Sequence, residues 1–175
     1  VARLTPTGFW VWALGATGDG DQVGQSIAVD SFGNAYITGF IEGNSTFDST
    51  LNQCKGKDVF IAKVNSGGTW GWVEHIEGDG DDYGTGLAID TEDGIHITGQ
   101  HSDYSIFGII NLTAGFGPEV FVAKISNTGA WQWAVTSISS SLSLEGEEGN
   151  EAKAIGIDAS GDIHITGTFQ AKMTL

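Results

Sequence analysis

The residues with the most chemistry to offer are acidic and fall in two matching runs. Asp19 and Asp21 lie in Gly18-Asp19-Gly20-Asp21, and Asp79, Asp81 and Asp82 in Gly78-Asp79-Gly80-Asp81-Asp82. Hard cations such as Ca²⁺ take several oxygen ligands, which adjacent carboxylates on flexible glycine backbone supply. The spacing is not that of an EF-hand loop, which alternates its acids and ends on a distal Glu. The same carboxylates can instead accept backbone N–H bonds and hold a turn. Both readings, a Ca²⁺ site and a structural turn, remain open at this level. Gly18-x-Gly20 followed by Gly24 is not a dinucleotide loop, because a strand and not a helix follows it.

Nucleophilic chemistry finds no support in the motifs. There is no Gly-x-Ser-x-Gly and no His-Glu-x-x-His, so no catalytic residue is expected and the chain does not read as an enzyme. Cys54 is the one cysteine, which rules out an internal disulfide. Its neighbours Lys55 and Lys57 would lower its pKa, but no base stands nearby in sequence. His75 and His101 have no evident partner spacing, whereas His96 and His164 stand where an earlier unit has Tyr36. Exchange with Tyr points to a packed, hydrogen-bonded role. Arg3, Lys63 and Lys124 recur at one position, and each is expected to pair with a loop carboxylate such as Asp30 or Asp90. Two glycosylation sequons begin at Asn44 and Asn111.

These residues ride on a repeat of roughly 60 residues. Trp10-Val11-Trp12 returns as Trp70-Gly71-Trp72 and Trp131-Gln132-Trp133. Ile27-Ala28-Val29-Asp30 returns at 87–90 and 155–158, and Ile37-Thr38-Gly39 at 97–99 and 165–167. Val59-Phe60-Ile61-Ala62-Lys63-Val64 returns at 120–125. Each unit reads as four strands: A from Ser26 to Asp30, B from Ala35 to Phe40, C from Asp58 to Val64 and D from Thr69 to Ile76. Strand C is apolar on both faces, so both must be covered, as when sheets stack side by side. The tryptophans sit at i and i+2 in strand D, which predicts that each pair lies on one face and fills a gap between sheets.

The run Gly78 to Asp90, with Ile97-Thr98-Gly99, Val120-Phe121-Val122-Ala123-Lys124-Ile125 and Gly129-Ala130-Trp131-Gln132-Trp133-Ala134, resembles the seven-bladed β-propeller repeat of bacterial and archaeal secreted proteins. That resemblance implies an all-β propeller of four-stranded antiparallel blades, in a multi-blade ring, at the cell surface or outside the cell. It implies little about activity. The chain holds about three blades' worth of repeat. Residues 1–17 supply strands C and D, 25–76 a full blade, 85–138 another, and 153–175 strands A and B. The remaining blades would come from a longer chain or from self-association. In the third unit a serine-rich stretch from Ser137 to Ser143 precedes Leu144-Glu145-Gly146-Glu147-Glu148-Gly149, where the others carry Gly-Asp-Gly-Asp.

Composition narrows the partners. Net charge is −15, a field that repels nucleic acid and anionic lipid, and no stretch is long and apolar enough to span a bilayer. The A–B and C–D turns are short. The B–C and D–A connections are long, acidic and carry both sequons and Cys54, so that side is the expected recognition face. A protein or glycan partner suits it, and a structural or binding module is the leading expectation. A carbohydrate-binding propeller, with Phe47, Tyr104, Phe107 and Phe116 as exposed B–C aromatics, is the alternative. A glycosidase or lyase ranks last, since the acids are too many to single out a pair.

Overall fold

The computed structural model describes residues 1–115, 117–139 and 149–169 and the backbone of 173–174. Phe116 and the acidic run from Leu144 to Glu148 lie outside them. The fold is all-β, a partial β-propeller built of small antiparallel sheets. Strands β1 (Ala2–Leu4) and β2 (Trp10–Ala13) form a C–D hairpin, and β3 (Thr17–Gly18) is a short link. The first complete blade is β4 (Gln22–Val29), β5 (Ala35–Phe47), β6 (Thr50–Asn65) and β7 (Thr69–His75), paired in that order. After the link β8 (Glu77–Gly78), the second blade pairs β9 (Tyr83–Ile89) with β10 (Ile95–His101), then β13 (Glu119–Ile125) and β14 (Trp131–Thr136). Between them β11 (Tyr104–Phe107) and β12 (Ile110–Thr113) make a hairpin of their own. A third link, β15 (Ile138–Ser139), precedes the A–B pair β16 (Glu151–Ile157) and β17 (Ile163–Thr168), and β18 (Met173–Thr174) follows.

Strands β4, β9 and β16 pack in succession, so strand A of each unit meets strand A of the next. Two apolar clusters fill the gaps between sheets. Leu14 and Trp12 meet Ile37, Phe47, Phe60 and Trp70 in the first gap. Tyr36, Ile61 and Trp72 meet Ile97, Phe107, Phe121 and Trp131 in the second. This is why strand C carries apolar side chains on both faces: Phe60 and Ala62 line one gap, Val59 and Ile61 the other.

The tryptophan pairs do not share a face. Val64 opposes Trp70 and Lys63 opposes Trp72, with Gly71 left over as a β-bulge. The bulge recurs at Arg3/Leu4 and Lys124/Ile125. It resets the alternation, so Trp70 enters the gap behind its blade and Trp72 the gap ahead. Strict i, i+2 counting misses this because it assumes an unbroken pleat.

Trp12 and Trp72 each seat on the next C–D turn. Gly68 and Gly129 close those turns at φ +85° and +86°, and a Cβ at Gly68 would lie 2.5 Å from the Trp12 ring. Gly68→Ala is therefore expected to cost about 1–2 kcal/mol, from left-handed backbone and overpacking together, read as a lower thermal midpoint. Gly8, the same turn position in the first hairpin, has open space around it and φ +84°.

The B–C connection is no loop. β5 and β6 continue as a hairpin arm as far as Phe47 and Thr50, turning at Asp48 with φ 54°. β11 and β12 form the matching arm, and each link strand pairs with the arm that follows it: β3 with β5, β8 with β11, β15 with β18.

Candidate functional site

Two sets of connections separate onto opposite sides of the sheets. On one side the turns are tied together: Ser66 N donates to Asn34 Oδ1 at 3.1 Å, and Ser31 N and Oγ donate to Asp93 at 3.0 and 2.8 Å. Each A–B turn is built on one aspartate. Asp30 Oδ1 accepts from Phe32 N and Asn34 N, Asp90 Oδ1 from Glu92 N and Gly94 N, and Asp158 Oδ1 from Ser160 N and Asp162 N. The second oxygen meets the Tyr/His position of strand B: Tyr36 at 3.1 Å, His96 at 2.9 Å, His164 at 3.3 Å. Tyr36 and His96 are buried in that bond, the packed role that the exchange indicated, whereas His164 makes it with a 69% exposed side chain.

The three strand-C cations are less uniform than expected. Lys124 Nζ reaches Asp90 Oδ2 at 2.8 Å. Although burial opposes it, this ammonium, with His96 and the turn N–H groups, holds the Asp90 carboxyl well below the usual carboxylate range. The interaction thus stabilises the fold above pH ~4 and fades on further acidification. Among the described residues Arg3 and Lys63 do not pair with acids. They donate to the carbonyls of Ser66 and Asn127, at 3.0 and 3.1 Å, in the next C–D turn, and Trp72 Nε1 shares Asn127 O at 3.0 Å. The neighbouring backbone offers an acceptor nearer than the aspartate. Lys124→Met is expected to cost about 1–2 kcal/mol in thermal unfolding, since Asp90 keeps its other donors.

The opposite side carries the arms and the acidic links. Asp19 accepts from Asn44 N at 2.7 Å and Asn44 Nδ2 at 3.1 Å, which lowers its pKa. The Asp21 carbonyl accepts from Glu42 N at 2.8 Å. Asp79 faces Lys55 at 4.0 Å, and Asp81 Oδ1 accepts from Lys57 N at 3.2 Å. Asp82 is fully buried, accepting from Ser102 N at 2.8 Å and Ser105 Oγ at 3.0 Å. Each link is thereby stitched to an arm. Among the described residues no group of three or more His, Cys, Asp or Glu is arranged to hold a metal ion. Asn44 and Asn111, the sequon residues, are exposed on the two arms.

Two side chains expected to be exposed are core. Phe47 packs on Phe60 and Trp70 at 5.2 and 5.1 Å, and Phe107 on Phe121 and Trp131 at 5.2 and 5.1 Å. Each arm folds its aromatic back over its own blade. Trp10, by contrast, lies 71% exposed. Tyr104 stays accessible on the second arm. Cys54 is half-buried, and burial with the nearby Asp58 charge pushes its thiol up to about 12, against the lowering that Lys55 and Lys57 suggested. Alternation along β6 explains this: the thiol faces the core cluster.

Sequence reasoning missed Asp58, Glu119 and His101, all buried on this side. Burial lowers His101 to about 4, and it bridges Ser105 Oγ and Thr136 Oγ1 at 3.1 and 2.6 Å. The recurrence of an acid just before Val59 and Val120 was the available signal.

A beta-propeller repeat family model matches residues 10–45. The chain is also 22% identical to an uncharacterised WD repeat-containing protein of Acanthamoeba polyphaga mimivirus, over 83% of this chain and 12% of that protein. Both likenesses are to repeat proteins, and they agree with the repeating units and stacked sheets of this chain.

Proposed function

We propose that the chain is a non-catalytic binding or structural module, working outside the cell or at its surface, that recognises a protein partner through the arm side. The observation that supports this most is the division of labour across the sheets. One side is closed by short turns bonded to each other. The other projects hairpin arms and acidic links from a rigid scaffold, with Ile109 at 96% exposure on the second arm tip. Propeller repeats and a WD-repeat relative fit a scaffold that binds. The buried Phe47 and Phe107 remove two of the aromatic platforms that a glycan site would use.

The test places a photo-crosslinking residue at Ile109, on the arm side, or at Thr128, in a C–D turn, within the protein at its native source. Protein adducts from Ile109 and few from Thr128 are expected. Equal yields, or adducts from Thr128 alone, would put recognition elsewhere.

A further inference from the structure

The two complete blades differ at one buried position. Strand C opens with Asp58 in the first and Glu119 in the second. Glu119 is fully buried, and its Oε2 accepts from Ser137 Oγ at 2.6 Å and Asn150 Nδ2 at 3.0 Å. The backbone around Asp58 is the same, with Ile76 N bonded to Val59 O as Ser137 N is to Val120 O, and Asp82 N to Lys57 O as Asn150 N is to Pro118 O. But the donors are gone. Ile76 stands for Ser137 and Asp82 for Asn150. The Cys54 thiol and the Gly78 N–H reach the Asp58 carboxyl. Its Oδ1, on a residue only 2% exposed, has no partner. A buried acceptor left unmet costs about 1–3 kcal/mol, so its persistence calls for a donor from outside the fold.

Asp58 lines a cleft of about 260 Å³ between the two arms. Glu77 and Asp79 border it from the link, Tyr104 and Ile106 from the second arm, Lys55 from the first. Lys55 is 4.0 Å from Asp79 with an 87% exposed side chain, which leaves it free to swing aside. The volume suits one side chain. A metal would need converging oxygens, which the described residues do not form. What Oδ1 lacks is an N–H, the cleft is acidic, and its apolar wall is an aromatic ring beside an isoleucine. A slender cation answers all three: charged N–H groups at the tip, methylenes along the stem, and a ring to lie against.

We infer that this cleft receives a lysine or arginine side chain from a basic segment of the partner protein, donating to Asp58 Oδ1. The inference rests on the reading of the arm side as the recognition surface.

The test follows ¹H–¹⁵N spectra of the whole chain at about 0.15 M salt, titrated with end-capped Gly-Arg-Gly, Gly-Lys-Gly and neutral Gly-Gln-Gly. Saturable shifts clustered at Gln53, Gly78 and Tyr104 are expected with the two cationic peptides only. Asp58→Asn should weaken them roughly tenfold or more, the loss of one charge-assisted bond. Tyr104→Ala, on an exposed side chain that the core does not need, should also weaken them, and the spectra themselves report that each variant is folded. Shifts scattered over the acidic surface without saturation, or equal affinity in Asp58→Asn, would overturn the inference and leave a water as the donor. A partner that crosslinks to Ile109 yet ignores Asp58→Asn would defeat the cleft while sparing the arm-side reading.

Discussion

Phe107→Ala is expected to lower stability by about 3–5 kcal/mol, the cost of a cavity where a buried phenyl ring stood. Phe107 is fully buried, edge-on to Phe121 and Trp131, and it anchors the second arm to its blade. In a chain of this size that is a fall of roughly 10 °C in thermal midpoint. Phe107→Leu, which keeps most of the volume, should lose less than about 1.5 kcal/mol. Ile109→Ala is the contrast. Ile109 stands 96% exposed at the tip of the same arm, so its loss should stay within about 0.5 kcal/mol. Unfolding of the three variants checks the account of the arms. An Ile109→Ala cost equal to that of Phe107→Ala would refute it.

Asp82→Asn is expected to stabilise the protein by an amount that grows as pH rises from about 4 to 7 and then levels. Burial, then the charges of Asp58 and Asp81, push the Asp82 carboxyl up to about 7 against the two bonds from Ser102 and Ser105. Its unfolded value is about 3.9, so the fold binds this proton more tightly than the unfolded chain. The contribution of Asp82 to stability is therefore highest below pH ~4, falls as pH rises toward 7 and then levels. An amide cannot ionise, and the equivalent Asn150 already donates to Glu119 across the next gap. The variant should match the wild type near pH 4 and exceed it by on the order of 2 kcal/mol at pH 8. Denaturant unfolding across that range measures the difference, and a constant offset at all pH values would contradict the titration.

The first of these expectations was out of reach of the sequence and the second half within it. Asp82 was visible as part of an acidic run, but the run looked like one feature. The fold divides it: Asp79 stays at the surface, Asp81 bonds a backbone N–H, and Asp82 is sealed beneath the arm. Adjacent residues in a link have no periodicity from which burial can be counted. Phe47 and Phe107 looked like loop residues because the strands that carry them are interrupted by Gly, Asn and Asp. Only the return of the arm over strand D shows them to be core.

What the sequence determined by itself was the repeat, and with it the strand order, the antiparallel pairing and the need for cover on both faces of strand C. Those follow from local pattern, since alternation and turn residues act within a few positions. A hydrogen-bonded role for Tyr36 and His96 was legible for the same reason, though not their aspartate partners. What only the tertiary structure decided were contacts between units: the bulge that sends two tryptophans into different gaps, the turn carbonyls that take Arg3 and Lys63, and the missing donor at Asp58. Each depends on which residue of a neighbouring sheet arrives at a given point. That is fixed by how sheets stack, about 60 residues apart in the chain, and no local pattern encodes it.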